Sequence, residues 1–473
     1  MRGTVRQMIL FQLPKPVHVP CMGDSETAAA PAPRRKLGFV MCVALVVGNM
    51  VGSGVFLLPA DLAPLGWNSV YGWLATIAGT LCLTVVLTRL ARDLAGGCGP
   101  FTYPAAAFGR GIGFITAWSY WISIWVTNAT LAVAVVRNLS VLRPELGAPG
   151  VGASVAIGVI WLLTVVNCFG VRTAGRVQVG TTFLKLIPLG GAILVGAWLI
   201  GTQGPAALPA APEPISLAGI NAAATFALFA MLGFESAMAA GDRIDNPGHV
   251  VPRATFIGTA LTGLIYLFAC SAVTLLLPAN AVHGSNAPFA LFFTVYVGPW
   301  TGALVALFAA VAALGALNGF ILLQGELPLA LGRDGLFPSW FARQNRREAP
   351  QRIHILSSVL ATALVLVNYS RGLAGLFQFM VLVTTSVTII FYIAGALASM
   401  KLAREGRIAS SPGFALIAAV GVLYSLWAFY GAGVEASLWS LAMTAAGAPL
   451  YFVMRWASRS SRAEAATPAA PRE

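Results

Sequence analysis

Glu235 is the residue whose position most demands a chemical explanation. It stands in Leu232-Gly233-Phe234-Glu235-Ser236-Ala237, within an apolar segment running from about 219 to 240. A carboxylate near the centre of a bilayer costs about 2.5 to 3.5 kcal/mol on insertion scales, so it must face a cavity or a partner. Such a group can carry a proton, hold a cation or anchor a gate. The plainer reading is a structural carboxylate that accepts hydrogen bonds from backbone freed at Gly233. Enzymatic acid–base work is disfavoured: the chain has no His-Glu-x-x-His helix, no Gly-x-Ser-x-Gly elbow and no nucleophile beside a base. Lys185, in Phe183-Leu184-Lys185-Leu186-Ile187-Pro188, is a second ionisable residue inside an apolar segment. A desolvated ammonium suits proton carriage, whereas a long side chain snorkelling to the interface would be structural. Both readings stay open.

A different kind of signal comes from Gly48-Asn49-Met50-Val51-Gly52-Ser53-Gly54 in the first apolar segment. Backbone groups freed at membrane depth cost several kcal/mol each unless they face protein or a water-filled cavity. A helix broken there presents the positive end of a half-helix to an anionic group. The sixth segment repeats the device at Gly233. Glycine alone is a weak signal, because it also serves close helix packing. Breaks at matching positions in two halves point to an inverted-repeat carrier with a ligand held at the bilayer midplane.

The elements that must position these residues follow from composition. Of 473 residues, 58% are hydrophobic and 10% charged, and the mean hydropathy is +0.80. That balance excludes a soluble globule and implies an all-α polytopic membrane protein. Runs long enough to span the hydrocarbon core are read at about 37–60, 70–91, 105–136, 151–170, 176–201, 219–240, 254–277, 300–330, 354–369, 373–400, 413–431 and 436–456, about twelve in all. With odd loops outside, the external basic residues are Arg137, Arg143 and Arg371, and 25 of 29 Lys and Arg fall on the other side. The positive-inside rule makes that side cytoplasmic, with both termini there. The net charge of +13 is thus a topological signature and not a nucleic-acid footprint, since no basic patch is interleaved with aromatics on a soluble domain.

Residues 1–36 read as a disordered cytoplasmic tail without a secretory signal, in which Met22 is an alternative start that would leave residues 1–21 outside the native protein; 457–473 read as a second cytoplasmic tail. Six scattered cysteines imply no disulfide, and four histidines in the tail or at loop positions imply no metal site. No cofactor is expected. Without a Walker-type phosphate loop, any transport must be driven by gradients.

The chain resembles the amino acid-polyamine-organocation transporters, and within them the basic amino acid/polyamine antiporters. The resemblance covers 37–456 and rests on Gly48 through Ala60, Tyr71-Gly72-Trp73, Gly233-Phe234-Glu235-Ser236-Ala237, Asp245-Asn246-Pro247 and Asp334-Gly335-Leu336-Phe337-Pro338. It implies a five-plus-five inverted repeat of the LeuT-like kind, with helices 1 and 6 discontinuous. Helices 1–5 would occupy about 37–201, helices 6–10 about 219–400, and two further helices about 413–456.

In the family, backbone at the first break binds the substrate α-carboxylate, and carbonyls of helix 6 take the α-amino group. The matching positions are Asn49, Met50, Gly52, Ser53 and Gly54, with Ala230, Met231 and Gly233 opposite. Glu235 matches an acidic residue gated by two tyrosines, here Tyr120 and Tyr392. Ser123, Asn128 and Thr384 complete the polar substrate set that the resemblance implies. Two departures bear on specificity. Phe229 and Phe320 stand where the arginine/agmatine antiporter sandwiches a guanidinium between tryptophans, and Phe is the weaker cation–π partner. Lys185 stands where other branches place a lysine proposed to carry the proton, so Lys185 and Glu235 are the proton-coupling candidates.

The resemblance implies exchange of a cationic amino acid such as arginine for its amine, in a bacterial inner membrane. A proton-coupled neutral amino acid permease is the alternative, and a sensor that binds without transport is a reading of another class. The expected partners are the small-molecule substrate and membrane lipids, with no nucleic acid and a homodimer left open.

Overall fold

The computed structural model describes residues 38–466 apart from 53, 95–101, 149, 170–173, 209–212, 236–237, 239–243 and 245. Ser53, Ser236, Ala237, Asp245 and the first 37 residues therefore lie outside the described residues. The described chain is built from helices and short 3-10 turns: α1 (Phe39–Met50), α2 (Gly54–Leu62), α3 (Trp67–Asp93), α4 (Thr102–Phe108), α5 (Arg110–Leu139), α6 (Val151–Cys168), α7 (Ala174–Gln203), α8 (Leu217–Met231), α9 (Pro247–Leu276), α10 (Ala279–His283), α11 (Pro288–Tyr296), α12 (Pro299–Arg333), α13 (Gln351–Asn368), α14 (Gly372–Arg404), α15 (Pro412–Gly431), α16 (Gly433–Ala445) and α17 (Gly447–Ala466).

Nine stretches among the described residues are long and apolar enough to cross a bilayer, ten when α1 and α2 count as one span bent by 50°. One of the nine, Gln351–Arg404, is two helices, α13 and α14, joined by a 3-10 turn at Tyr369–Arg371. The shorter apolar helix Leu217–Met231 supplies the sixth segment. The protein is a polytopic helical membrane protein.

Boundaries shift where local chemistry overrides hydropathy. The seventh segment begins at Pro247, seven residues before the apolar run expected from 254, because proline at the first helical position needs no intrahelical donor. The third is interrupted at Gly109, whose φ of +90° separates α4 from α5. The stretch between segments seven and eight, too short to read as a span, folds into α10 and α11, and Phe289 and Phe292 of α11 are buried. The ninth segment starts three residues early at Gln351, which places His354 in a helix and fully buried instead of in a loop. At the far end α17 runs on to Ala466, into residues read as tail.

The bundle divides by its contacts. α3 packs on α8 and α9, and α9 on α1, while α5 packs on α12, α14 and α6, and α6 on α13. Gly72 lets α3 and α8 touch: a Cβ there would sit 2.6 Å from the Ala223 Cβ. Thr76 Oγ1 then donates to the Ala224 carbonyl at 2.9 Å across the same contact. α8 is also held by α15, through Asn221 Nδ2 to the Trp427 carbonyl at 2.7 Å and Thr225 Oγ1 to the Ala428 carbonyl at 2.9 Å.

Candidate functional site

The two breaks meet. α1 ends at Met50, and Val51 and Gly52 leave the helical conformation, with the Gly52 N–H closing onto the Met50 carbonyl at 2.7 Å. α8 ends at Met231, after which Leu232 is extended (ψ 147°) and Gly233 adopts φ +102°. That φ favours glycine, and a Cβ on Gly233 would lie 3.1 Å from the Asn49 carbonyl oxygen. Two unwound stretches from different halves of the chain are therefore in direct contact.

Freed carbonyls at the first break are partly claimed by α9. Tyr266 Oη donates to the Met50 carbonyl at 2.8 Å from a fully buried position. Pro59 has no N–H to give the Val55 carbonyl four residues back; the Cys270 thiol, at 3.8 Å, faces that oxygen instead. At the junction stand the positive N-terminus of α2 and the carbonyl-rich C-termini of α1 and α8. An anionic group suits the first and an ammonium the second.

Glu235 lies two residues beyond Gly233 and is 5% exposed. Tyr120 Oη of α5 donates to its Oε1 at 2.6 Å; the Gly233 N–H at 3.2 Å and Tyr392 Oη of α14 at 3.4 Å approach Oε2. Three potential donors face two oxygens, a number that the acceptor positions of one carboxylate can accommodate. Phe391 and Phe234 close the apolar side of this cluster, Phe391 edge-on to Tyr120 at 5.2 Å and Phe234 tilted against Tyr392 at 5.4 Å between ring centroids.

The remaining expected residues are placed as follows. Phe229, buried near the end of α8, lies so close to Gly54 that any Cβ on Gly54 would overlap its ring. Its edge meets Phe377 of α14 at 6.4 Å, and the buried Arg137 guanidinium covers Phe377 at 5.3 Å. Ala230 and Met231 are buried beside it, Asn49 and Gly52 are half-buried, and Phe320 is half-buried on α12. Ser123 is buried with its hydroxyl turned back to the Tyr120 carbonyl at 2.7 Å. Thr384 is fully buried, and its hydroxyl has no hydrogen-bond partner among the described residues. Lys185 is 1% exposed on α7, which packs on α9 and α12, and its Nζ has no hydrogen-bond partner among the described residues. Its ammonium therefore does not snorkel.

Asn128 is joined to a network that the sequence reading passed over. Its Nδ2 donates to Gln324 Oε1 of α12 at 2.7 Å, Gln324 Nε2 reaches Ser358 Oγ of α13 at 3.3 Å, and Ser358 shares a 2.6 Å hydrogen bond with Thr164 of α6. Asn128 Oδ1 remains without a partner among the described residues. Gln324 sits two residues before Glu326, and its signal was available: an uncharged polar residue in an apolar run still needs a partner. Asp61, near the end of α2, was likewise passed over. One of its oxygens is buried without a partner among the described residues, and the basic side chains of Arg137 and His283 are its neighbours.

Residues 37–454 match the family model described as amino acid permease. The chain belongs to that family. The permease is 31% identical over 341 residues to the cadaverine/lysine antiporter of Escherichia coli K12, covering 72% of this chain and 77% of the relative. It is 28% identical over 424 residues to the putrescine transporter PotE of the same strain, covering 89% of this chain and 96% of that one. A putrescine transporter of Haemophilus influenzae is also 28% identical, over 430 residues, with 89% and 97% covered. The permease is a membrane transporter and not an enzyme.

Proposed function

We propose that this permease exchanges a cationic amino acid bearing an ammonium group, of the lysine kind, for a decarboxylated diamine across a bacterial inner membrane, by alternating access. The single observation that carries the reading is the contact of Gly233 with Asn49, which brings an anion-seeking half-helix and ammonium-seeking carbonyls to one place. Asn49, Met50, Gly52, Ser53 and Gly54 then hold the carboxylate, and Ala230, Met231 and Gly233 the amino group. Tyr120, Glu235 and Tyr392 form the gate. Asn128, Ser123, Thr384, Phe229 and Phe320 bound the rest of the pocket. The five-plus-five inverted repeat over 37–400 and cytoplasmic termini belong to the same proposal.

An ammonium fits better than the guanidinium of arginine. Guanidinium is planar and gains most from stacking on flat aromatic faces, whereas ammonium is a compact point charge. Phe229 and Phe320 offer smaller cation–π surfaces than tryptophan. The relatives named for cadaverine, lysine and putrescine agree with that preference. Proteoliposomes loaded with cadaverine, putrescine, agmatine or nothing test it. Lysine uptake should depend on an internal diamine and exceed arginine uptake into agmatine-loaded vesicles. Uptake indifferent to internal amine refutes exchange.

Lys185 favours a second reading. An ammonium buried without a partner is costly unless it can give up its proton, which suits a proton-coupled neutral amino acid permease. Alanine uptake driven by a proton gradient, and lost in Lys185→Met, would support this reading over exchange.

A further inference from the structure

Away from the junction, a groove of about 320 Å³ opens between α3, α9 and α15 at the end of the bundle where α3 finishes and α9 and α15 begin. Its floor is apolar, with Phe256 and Ile257 of α9 exposed at 41% and 47% and Phe414 of α15 beside them. Its rim is basic: Arg89 and Arg92 from the last turns of α3, and Arg253 from α9.

Among the described residues, the rim carries more positive charge than its acidic neighbours neutralise. Asp93 accepts from Arg89 Nε at 3.0 Å and from Arg92 Nε at 2.8 Å, so one carboxylate serves two guanidinium groups. Arg89 is further fixed by the Ala409 carbonyl at 3.0 Å and by the Phe414 ring at 5.6 Å. Arg253 is exposed and has no hydrogen-bond or ion-pair partner among the described residues. The N-termini of α9 and α15 lie at the same end and add partial positive charge.

A purely apolar cleft between membrane helices accepts any acyl chain, and a purely basic patch accepts any anion. Here both sit in one groove at the membrane boundary. We propose that it is a binding site for an anionic phospholipid such as phosphatidylglycerol, with the phosphate between Arg92 and Arg253 and the upper acyl chain along Phe256, Ile257 and Phe414. A zwitterionic lipid sets its own cation beside its phosphate and so brings no net charge to neutralise the arginines, and free phosphate leaves the aromatic floor uncovered.

Titration of the purified full-length protein with phosphatidylglycerol and with phosphatidylcholine, read by native mass spectrometry, tests this. Each near-surface arginine contributes about fivefold to anionic lipid affinity. Phosphatidylglycerol should therefore bind more tightly than phosphatidylcholine, the preference falling about fivefold in Arg253→Gln and about 25-fold in Arg92→Gln/Arg253→Gln. Arg253→Gln alone decides the matter if the double variant fails to fold, because Arg253 holds nothing else together. Arg143→Gln, exposed in the loop after α5, should leave the preference intact. Equal binding of the two lipids, or a preference unchanged in Arg253→Gln, overturns the site. Displacement of the lipid by inorganic phosphate at equal concentration would make it a simple anion site and overturn the lipid assignment.

Discussion

The Glu235 junction and the Asn128–Gln324 network bury similar polar groups and satisfy them by opposite means. At the junction, a carboxylate is met by two tyrosine hydroxyls from α5 and α14 and by a backbone N–H of its own turn, where α1 and α8 have both stopped. In the network, side chains of four uninterrupted helices bond to one another. Hydroxyls and freed backbone can change partners with a ligand while no helix unwinds. Bonds between side chains of continuous helices leave no backbone group free to take a new partner. On the proposed alternating-access cycle, the junction would exchange partners with the ligand, while the bonds from Gln324 through Ser358 to Thr164 would hold in place the pocket wall that carries Asn128.

The strongest way to break that contrast is Glu235→Gln. An amide puts an NH₂ where a carboxylate oxygen now accepts: a tyrosine hydroxyl can turn to accept from it, whereas the Gly233 N–H cannot. A hydrogen bond to a charged group is worth about 1.5 to 3 kcal/mol; where the exchange cycle draws on that energy, exchange should slow by about 10- to 150-fold, with the protein still inserted and folded. Unchanged exchange in proteoliposomes would remove Glu235 from the moving parts.

Gln324→Leu should do the reverse. It strands the buried Asn128 amide, a penalty of about 1 to 3 kcal/mol that ought to appear as earlier thermal unfolding in detergent. A larger loss of transport than of stability would show that this network takes part in substrate handling. Sharpening the pocket is a smaller effect: Phe229→Trp with Phe320→Trp should raise affinity for guanidinium substrates by about 0.5 to 2 kcal/mol, measured as arginine competition against lysine uptake. Unaltered competition would place both rings outside the pocket. Smallest of all is Thr164→Val, which deletes one interhelical bond worth about 0.6 kcal/mol in membranes and should leave exchange kinetics untouched.

Much of the site was legible because its signals are local. Gly48 through Gly54 and Gly233 announce broken helices by composition, and Glu235 announces itself by being charged in an apolar run. Asn128 was indicated only by the family resemblance, and its partner Gln324 was not indicated at all, because nothing in either segment shows which faces will cross. His354 was read at a loop position; only the turn begun at Gln351 and the contact with Gly325 show it buried.

Hydropathy, charge bias and glycine placement are properties of short stretches, since each span must satisfy its own backbone in lipid. They were enough to establish a multi-pass helical membrane protein, the break in its first segment and the acid in its sixth. Contact between Gly233 and Asn49, the two tyrosines converging on Glu235, the inward turn of Lys185 and the basic groove at Arg253 depend on which helix faces pack together. That is decided by the fit of side chains between distant segments, and packing of this kind leaves no periodic trace in either segment alone.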